Sequence, residues 1–210
     1  MATGPDEQAD DAAGLLAALS LAPAAVYGNS SGAIMALNLV IRYPEVVRGA
    51  ILHEPPLFSG FRRPEEVQAE LGATVEKGMA AGGPPAAAET FLRWAAGDAN
   101  WEGLTPDQRE RMRGNGETFF GLEIGNFELY CPDDATLAAV SVPVQVMVSD
   151  GSAPFFAEAA AWLATRLGVE IVRTPGTHTP QCDHPSELAG NIRSFLKTRT
   201  ERRSILGKSN

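Results

Sequence analysis

The chain has 210 residues, of which 44% are hydrophobic and 20% charged, and its formal net charge is −9 at pH 7. This length and composition predict one globular domain with a substantial core. The negative charge argues against nucleic acid or an anionic membrane surface as a partner. No stretch approaches the ~20 apolar residues of a membrane span, and the acidic first residues lack the features of a signal peptide. Two cysteines are too few for a disulfide framework, so the protein is expected to be cytoplasmic.

Apolar periodicity alternates between helix and strand along most of the chain. The predicted elements are, in chain order, a helix at 6–19, a strand at 24–27, a helix at 33–43, strands at 47–52 and 142–148, a helix at 154–167, a strand at 169–172 and a helix at 186–197. Pro44 ends the second helix, and Gly168 follows the helix that begins at Pro154. Strands separated by helices predict an α/β fold, with a parallel sheet of about four recognisable strands and helices on both faces.

The pattern changes between residues 56 and 140, where helical stretches alternate with loops and no clear strand is found. Helices are predicted near 67–76 and 86–96, on either side of a Gly-Gly-Pro-Pro run at 82–85. The interpretation is a single domain over residues 1–210 with a helical insertion at 56–140. Aromatic residues of this segment fit a core or a pocket wall equally well. They are Phe91, Trp94, Trp101, Phe119, Phe120 and Phe127.

The segment Gly28-Asn29-Ser30-Ser31-Gly32 fits the pattern G-x-S-x-G and lies between a predicted strand and a predicted helix. In that setting a sharp turn holds the central serine in a strained conformation, and small residues on both sides let strand and helix approach closely. Ser30 is therefore a candidate nucleophile. The N–H of Ser31, at the start of the helix, is a candidate oxyanion donor. The alternative is a serine that merely caps the helix.

A serine nucleophile needs a base, and the chain has three histidines. His178 follows the last predicted strand, at the sheet edge where βα sites assemble. His53 ends the second strand and is a candidate core residue, while His184 begins the last helix. We therefore predict His178 as the base. The neighbouring residues 182–184 would lack a distant second pair of metal ligands, so no metal site is expected.

Two carboxylates are candidates for the acid that orients the histidine. Asp150 directly follows the third strand, and Glu54 directly follows the second. Either would lie at the carboxyl edge of the sheet, and the order serine, acid, histidine holds for both. The alternatives are a turn residue before glycine for Asp150 and a solvated strand end for Glu54.

Three stretches carry a resemblance to a known family. They are 26–33 (VYGNSSGA), 42–48 (RYPEVVR) and 175–178 (PGTH), followed by Phe195 and Leu196. Together they resemble the α/β-hydrolase superfamily, most closely its small-substrate esterases and lactonases. The resemblance implies Ser30 as nucleophile, the Ser31 N–H as oxyanion donor and His178 as base. It also implies that residues 56–140 form a cap over the site.

The sequence departs from the family in two respects. The usual acid position after the third strand seen here falls nearer Ser152 than Asp150, and some members take the acid from the end of the preceding strand. Glu54 and Asp150 therefore rank about equal. In addition, nothing matches the strands that precede the serine turn in the family, or their loop that gives a second oxyanion donor.

The four strands resemble the family's fifth to eighth, so we expect an N-terminally truncated α/β-hydrolase fold. Its first strand would expose an edge of unpaired backbone groups, which predicts aggregation or self-association and weak or absent activity.

The leading functional prediction is a serine hydrolase without a cofactor. It would act on an ester, lactone or thioester of a small, moderately apolar substrate through an acyl-enzyme. A carboxylate nucleophile normally serves epoxide and haloalkane chemistry in this fold, so Ser30 argues against both. The alternatives are a non-catalytic binding protein that keeps the hydrolase pocket, and an incomplete gene product with little activity.

Overall fold

A computed structural model describes residues 4–125 and 130–206 of the chain, with side chains through residue 197. The described residues form a four-stranded, all-parallel sheet in the order β1-β2-β3-β4. The strands are β1 Ala24–Asn29, β2 Val47–His53, β3 Val144–Ser149 and β4 Ile171–Thr174. The predicted α/β fold with about four parallel strands is confirmed. Each strand limit lies within two residues of its predicted position.

Helices connect the strands and continue beyond the last of them. They are α1 Pro5–Ala18, α2 Ser31–Arg42, α3 Pro64–Ala96, α4 Asp98–Gly103, α5 Pro106–Gly114, α6 Asp134–Ala138, α7 Pro154–Leu167, α8 Pro180–Asp183 and α9 Pro185–Leu206. A short helix at Gly116–Thr118 and a π-helical turn at Phe119–Glu123 follow α5. Helix α3 is broken at Gly82 and Gly83, where the backbone is not helical. The two helices predicted there are thus the two arms of one kinked element.

The core lies on both faces of the sheet. On one face α2 buries Ile34, Leu37 and Val40, which recur at helical spacing, against β1 and β2. Each such side chain contributes roughly 1.5–3 kcal/mol when fully buried. On the other face Leu188 and Phe195 of α9 pack on the sheet in a smaller apolar cluster. The sheet thus has helices on both faces, and its carboxyl edge is left for the loops that carry the candidate site residues.

Helix α1 packs on α2 through polar contacts near its amino end. Asp6 accepts a hydrogen bond of 2.8 Å from Asn38, and Asp10 accepts one of 2.7 Å from Tyr43. Arg42 forms ion pairs with both acids. The carboxyl end of α1 is different, because Leu15, Leu19 and Leu21 there are 57–60% exposed. Within the described residues β1 pairs only with β2, so its other edge is open.

Between β2 and β3 the described residues form helices and no strand. The single domain and the cap at 56–140 stay predictions. Phe127 lies outside the described residues. Within residues 4–125 and 130–206, no helix has the length and apolar character needed to cross a membrane.

Candidate active site

Ser30 lies in the sharp turn between β1 and α2. Its φ of 57° and ψ of −125° are unusual for a residue other than glycine and typical of a strained functional turn. The Ser30 N–H donates to the carbonyl of His53 at 2.9 Å, and the Ser30 carbonyl accepts from Ala33 at 2.8 Å. These two bonds hold the turn between strand and helix. Ser31 is the first residue of α2, so its N–H is among those without an acceptor inside the helix.

His178 lies in the loop after β4 and contacts Glu54 directly. The distance between His178 Nδ1 and Glu54 Oε2 is 2.5 Å, and both side chains are almost fully buried. A carboxylate at this position accepts from Nδ1–H and therefore leaves Nε2 as the basic nitrogen. The Nε2 atom is buried and has no hydrogen-bond partner among the described residues. It is therefore available to accept a proton.

Glu54 is held in place by the adjacent strand. It has a φ of 51°, and its Oε1 accepts a hydrogen bond of 2.6 Å from the N–H of Ser149 at the end of β3. Burial by itself raises the pKa of Glu54. The hydrogen bond and charge of His178, with smaller contributions from His53 and Ser149, outweigh burial and lower this pKa below its ordinary value. Glu54 is thus a carboxylate at neutral pH.

Asp150, the other candidate acid, points away from His178. Its carboxylate is 56% exposed and forms an ion pair of 2.6 Å with Arg173 on the neighbouring strand. The N–H of Asp150 donates to the carbonyl of Thr174, as expected of a residue in a tight turn. The carboxylate of Asp150 is thus on the surface, whereas Glu54 contacts Nδ1 of His178, so the geometry favours Glu54 over Asp150 as the candidate acid.

The other two histidines have different surroundings. His53 is fully buried behind Glu54, and burial lowers its pKa to about 4, so it is neutral at pH 7. His53 Nε2 lies 3.0 Å from the hydroxyl of Ser149. Ser149 is itself 2% exposed, and its N–H also donates to Oε1 of Glu54, so His53 and Ser149 lie directly behind this carboxylate. His184 is partly exposed and lies 3.2 Å from Asp183.

The histidine loop is fixed by contacts from two other elements. The ring of His178 stacks on Phe156 of α7, with centroids 3.9 Å apart. Asp183 accepts hydrogen bonds from the N–H and hydroxyl of Thr177 at 2.9 and 2.7 Å, and from Asn100 of α4 at 3.1 Å. Burial raises the pKa of Asp183, but these bonds and His184 lower it overall. Helix α4 thus contacts the loop that carries His178, the candidate base.

Ser30 and Phe156 line the same narrow cavity, whose volume is about 20 Å³. Its other walls are Pro56, Phe58, Phe61, Val67, Leu71, Phe91, Trp94 and Phe155. A separate cavity of about 290 Å³ lies on the other side of Phe91, which lines both. Phe119 lines this second cavity, whereas Trp101 is buried.

Phe91 and Trp94, which fit a core or a pocket wall equally well from the sequence, are two of the six aromatic residues that line this cavity. The other four were not predicted: they are Phe58, Phe61, Phe155 and Phe156. For Phe155 and Phe156, the signal that could have found them is their position just after the third strand, in the first turn of a helix.

No protein-family model matches the chain. A solved esterase from Thermogutta terrifontis shares the fold with a TM-score of 0.71 and 20% identity, over 95% of this chain and 74% of that one. The chain is 31% identical over 197 residues to YraK of Bacillus subtilis, an uncharacterised hydrolase, covering 91% of this chain and 70% of YraK. The chain belongs to the α/β-hydrolase family.

A second relative of this α/β-hydrolase is the zearalenone hydrolase of Cladophialophora bantiana. The two are 30% identical over 178 residues, which cover 81% of this chain and 61% of that enzyme. The chain therefore spans 61% of one curated relative and 70% of the other. Membership of the family agrees with the hydrolytic chemistry that the sequence analysis predicted.

Proposed function

We propose that this α/β-hydrolase cleaves an ester, lactone or thioester of a small apolar substrate through a covalent acyl-enzyme. Ser30 is the nucleophile, His178 the general base and Glu54 the acid that orients it. The observation that carries the proposal is the 2.5 Å contact between Glu54 and His178, in a chain whose Ser30 adopts the strained turn conformation. The carboxyl ends of β1, β2 and β4 lie at one edge of the parallel sheet, which supports a site shared by the three residues.

The reaction follows from these positions. The Ser30 hydroxyl adds to the substrate carbonyl carbon while His178 Nε2 takes its proton, and the N–H of Ser31 donates to the oxyanion. Collapse of this intermediate breaks the bond to the leaving alcohol or thiol, which receives the proton from His178. Water then attacks the acyl-enzyme by the same steps and frees Ser30.

The substrate class is supported by the walls of the cavity beside Ser30. Six of its ten lining residues are aromatic, and the free space is narrow. Such apolar walls favour an apolar acyl or alcohol group over a charged one. The esterase and the zearalenone hydrolase that the chain resembles belong to the same broad class of hydrolytic enzymes.

Replacing Ser30 with alanine should abolish turnover of p-nitrophenyl acetate and butyrate, a loss on the order of 10⁴-fold or more. A fluorophosphonate should label the wild type and not the variant. Ser31→Ala is the matched control, because its proposed role uses the main-chain N–H, and it should keep both activity and labelling. Equal rates for wild type and Ser30→Ala would overturn the catalytic proposal. Binding without labelling would instead favour a non-catalytic homologue.

We also propose that two copies of the chain associate at the open edge of β1. Leu15, Leu19 and Leu21 are exposed on α1 and on the segment that leads from it to β1, and an unpaired strand favours pairing with another chain. Size-exclusion chromatography with light scattering should detect a mass that rises with concentration. Replacing Leu19 and Leu21 with lysine should reduce it, whereas replacing Met79, exposed on α3, should not. A monomer at every concentration would contradict the proposal.

A further inference from the structure

A polar side chain that the reaction does not use lies beside the nucleophile. Asn29 directly precedes Ser30, and its Nδ2 is 3.0 Å from the carbonyl oxygen of His178 and 3.2 Å from Nδ1 of His53. Its Oδ1 lies 3.4 Å from Nε2 of Gln181. We infer that Asn29 is a positioning residue that fixes the main chain of His178 against the turn carrying Ser30. The inference rests on the proposed roles of Ser30 and His178.

The hydrogen-bonding groups around Asn29 fix the orientation of its side-chain amide. An amide nitrogen only donates, and the carbonyl oxygen of His178 only accepts. Reversing the amide would bring two acceptors together, so Nδ2 must face His178. The second hydrogen of Asn29 Nδ2 points to Nδ1 of His53, 3.2 Å away, and we assign this His53 nitrogen as the unprotonated acceptor. The hydroxyl of Tyr27 lies 3.0 Å from the same His53 Nδ1 and shares its single lone pair.

The proton of neutral His53 is therefore on Nε2, from which it is donated to the hydroxyl of Ser149 at 3.0 Å. The N–H of Ser149 in turn holds Oε1 of Glu54. A continuous set of hydrogen bonds thus runs from the residue beside the nucleophile to the acid. Asn29 also bonds directly to the main chain of His178. Through these bonds it helps to hold Ser30, His178 and Glu54, although it is not among the residues that line the cavity.

Removing the Asn29 amide should lower kcat more than it changes KM. Without it, the main chain of His178 loses its hydrogen bond to the end of β1, and small misplacement of a base is costly: about 1 Å corresponds to about 10²-fold. We expect Asn29→Ala to lower kcat by about 10- to 10²-fold. Asn29→Asp should be worse, because its carboxylate would face the carbonyl of His178. Gln181→Ala removes only the outer contact of the same amide and should keep kcat within about twofold.

The histidine rings offer a measurement that does not depend on turnover. Nitrogen-15 NMR can resolve their signals because the chain has only three histidines. In the wild type and in Ser30→Ala, His53 should carry its proton on Nε2. Asn29→Ala should shift the His178 signals, and Gln181→Ala should not. A proton on Nδ1 of His53, or equal effects of Asn29→Ala and Gln181→Ala, would overturn the inference. If wild type lacks turnover, the proposed function fails, while the NMR comparison still decides the role of Asn29.

Discussion

Replacing Glu54 with glutamine should lower kcat by about 10³- to 10⁴-fold, whereas Asp150→Asn should change it by less than about twofold. Oε2 of Glu54 accepts from His178 Nδ1 inside the protein, and in the proposed reaction an amide there cannot compensate the charge of the imidazolium that forms when Ser30 loses its proton. It also permits the wrong tautomer of His178. Asp150 pairs with Arg173 in solvent, and such exposed pairs contribute only about 0–1 kcal/mol.

Ester turnover of both variants should be measured together with their unfolding in urea, so that loss of the base's orientation is separated from loss of the fold. The pKa of Glu54 is lower in the folded chain than its ordinary 4.5. Its ionised form therefore stabilises the fold above about pH 4.5, and this contribution is lost as the pH falls through the lower folded-state pKa. The stability difference between wild type and Glu54→Gln should accordingly shrink on acidification. An equal loss of kcat in Asp150→Asn would contradict the assignment of Glu54.

The choice between these two acids shows where sequence reasoning reached its limit. Both follow a strand, so strand periodicity alone brings both to the same edge of the sheet. The decision depends on local backbone geometry: Glu54 has a φ of 51° and is inserted between β3 and the histidine loop. Asp150 instead turns outward to Arg173, the next-to-last residue of β4. Neither orientation is encoded in a pattern of apolar residues.

The elements themselves were predictable because their signals are local. The period of apolar residues in α2 and the prolines at the starts of α7 and α9 require no knowledge of distant contacts. The cavity beside Ser30 could not be predicted in this way, because its walls come from stretches separated by up to about 130 residues. From the sequence alone, Phe91 and Phe155 fit a core as well as a pocket wall. Only the fold brings them together. The same holds for Asn29, whose partner His178 is distant in sequence.

The two glycines of the serine turn should respond differently to alanine. The sequence motif treats Gly28 and Gly32 alike, but their surroundings differ. A Cβ on Gly28 would lie 2.1 Å from the carbonyl oxygen of Gly32 and 2.7 Å from the nitrogen of Ala33. These are backbone atoms of α2 that cannot move away without separating the helix from β1. We expect Gly28→Ala to lower the free energy of unfolding by about 3 kcal/mol and to displace Ser30 enough to prevent fluorophosphonate labelling.

Gly32→Ala is the matched control, because a Cβ at Gly32 would have no atom within 4 Å in the described part of the chain. Gly32 also lies in the first turn of α2, where alanine is favoured over glycine by up to about 1 kcal/mol. This variant should unfold at the same or a higher urea concentration than wild type and should still be labelled at Ser30. Equal destabilisation by both substitutions would show that the motif needs two glycines for their flexibility. A loss confined to Gly28→Ala would instead show that close packing of β1 on α2 shapes the nucleophile.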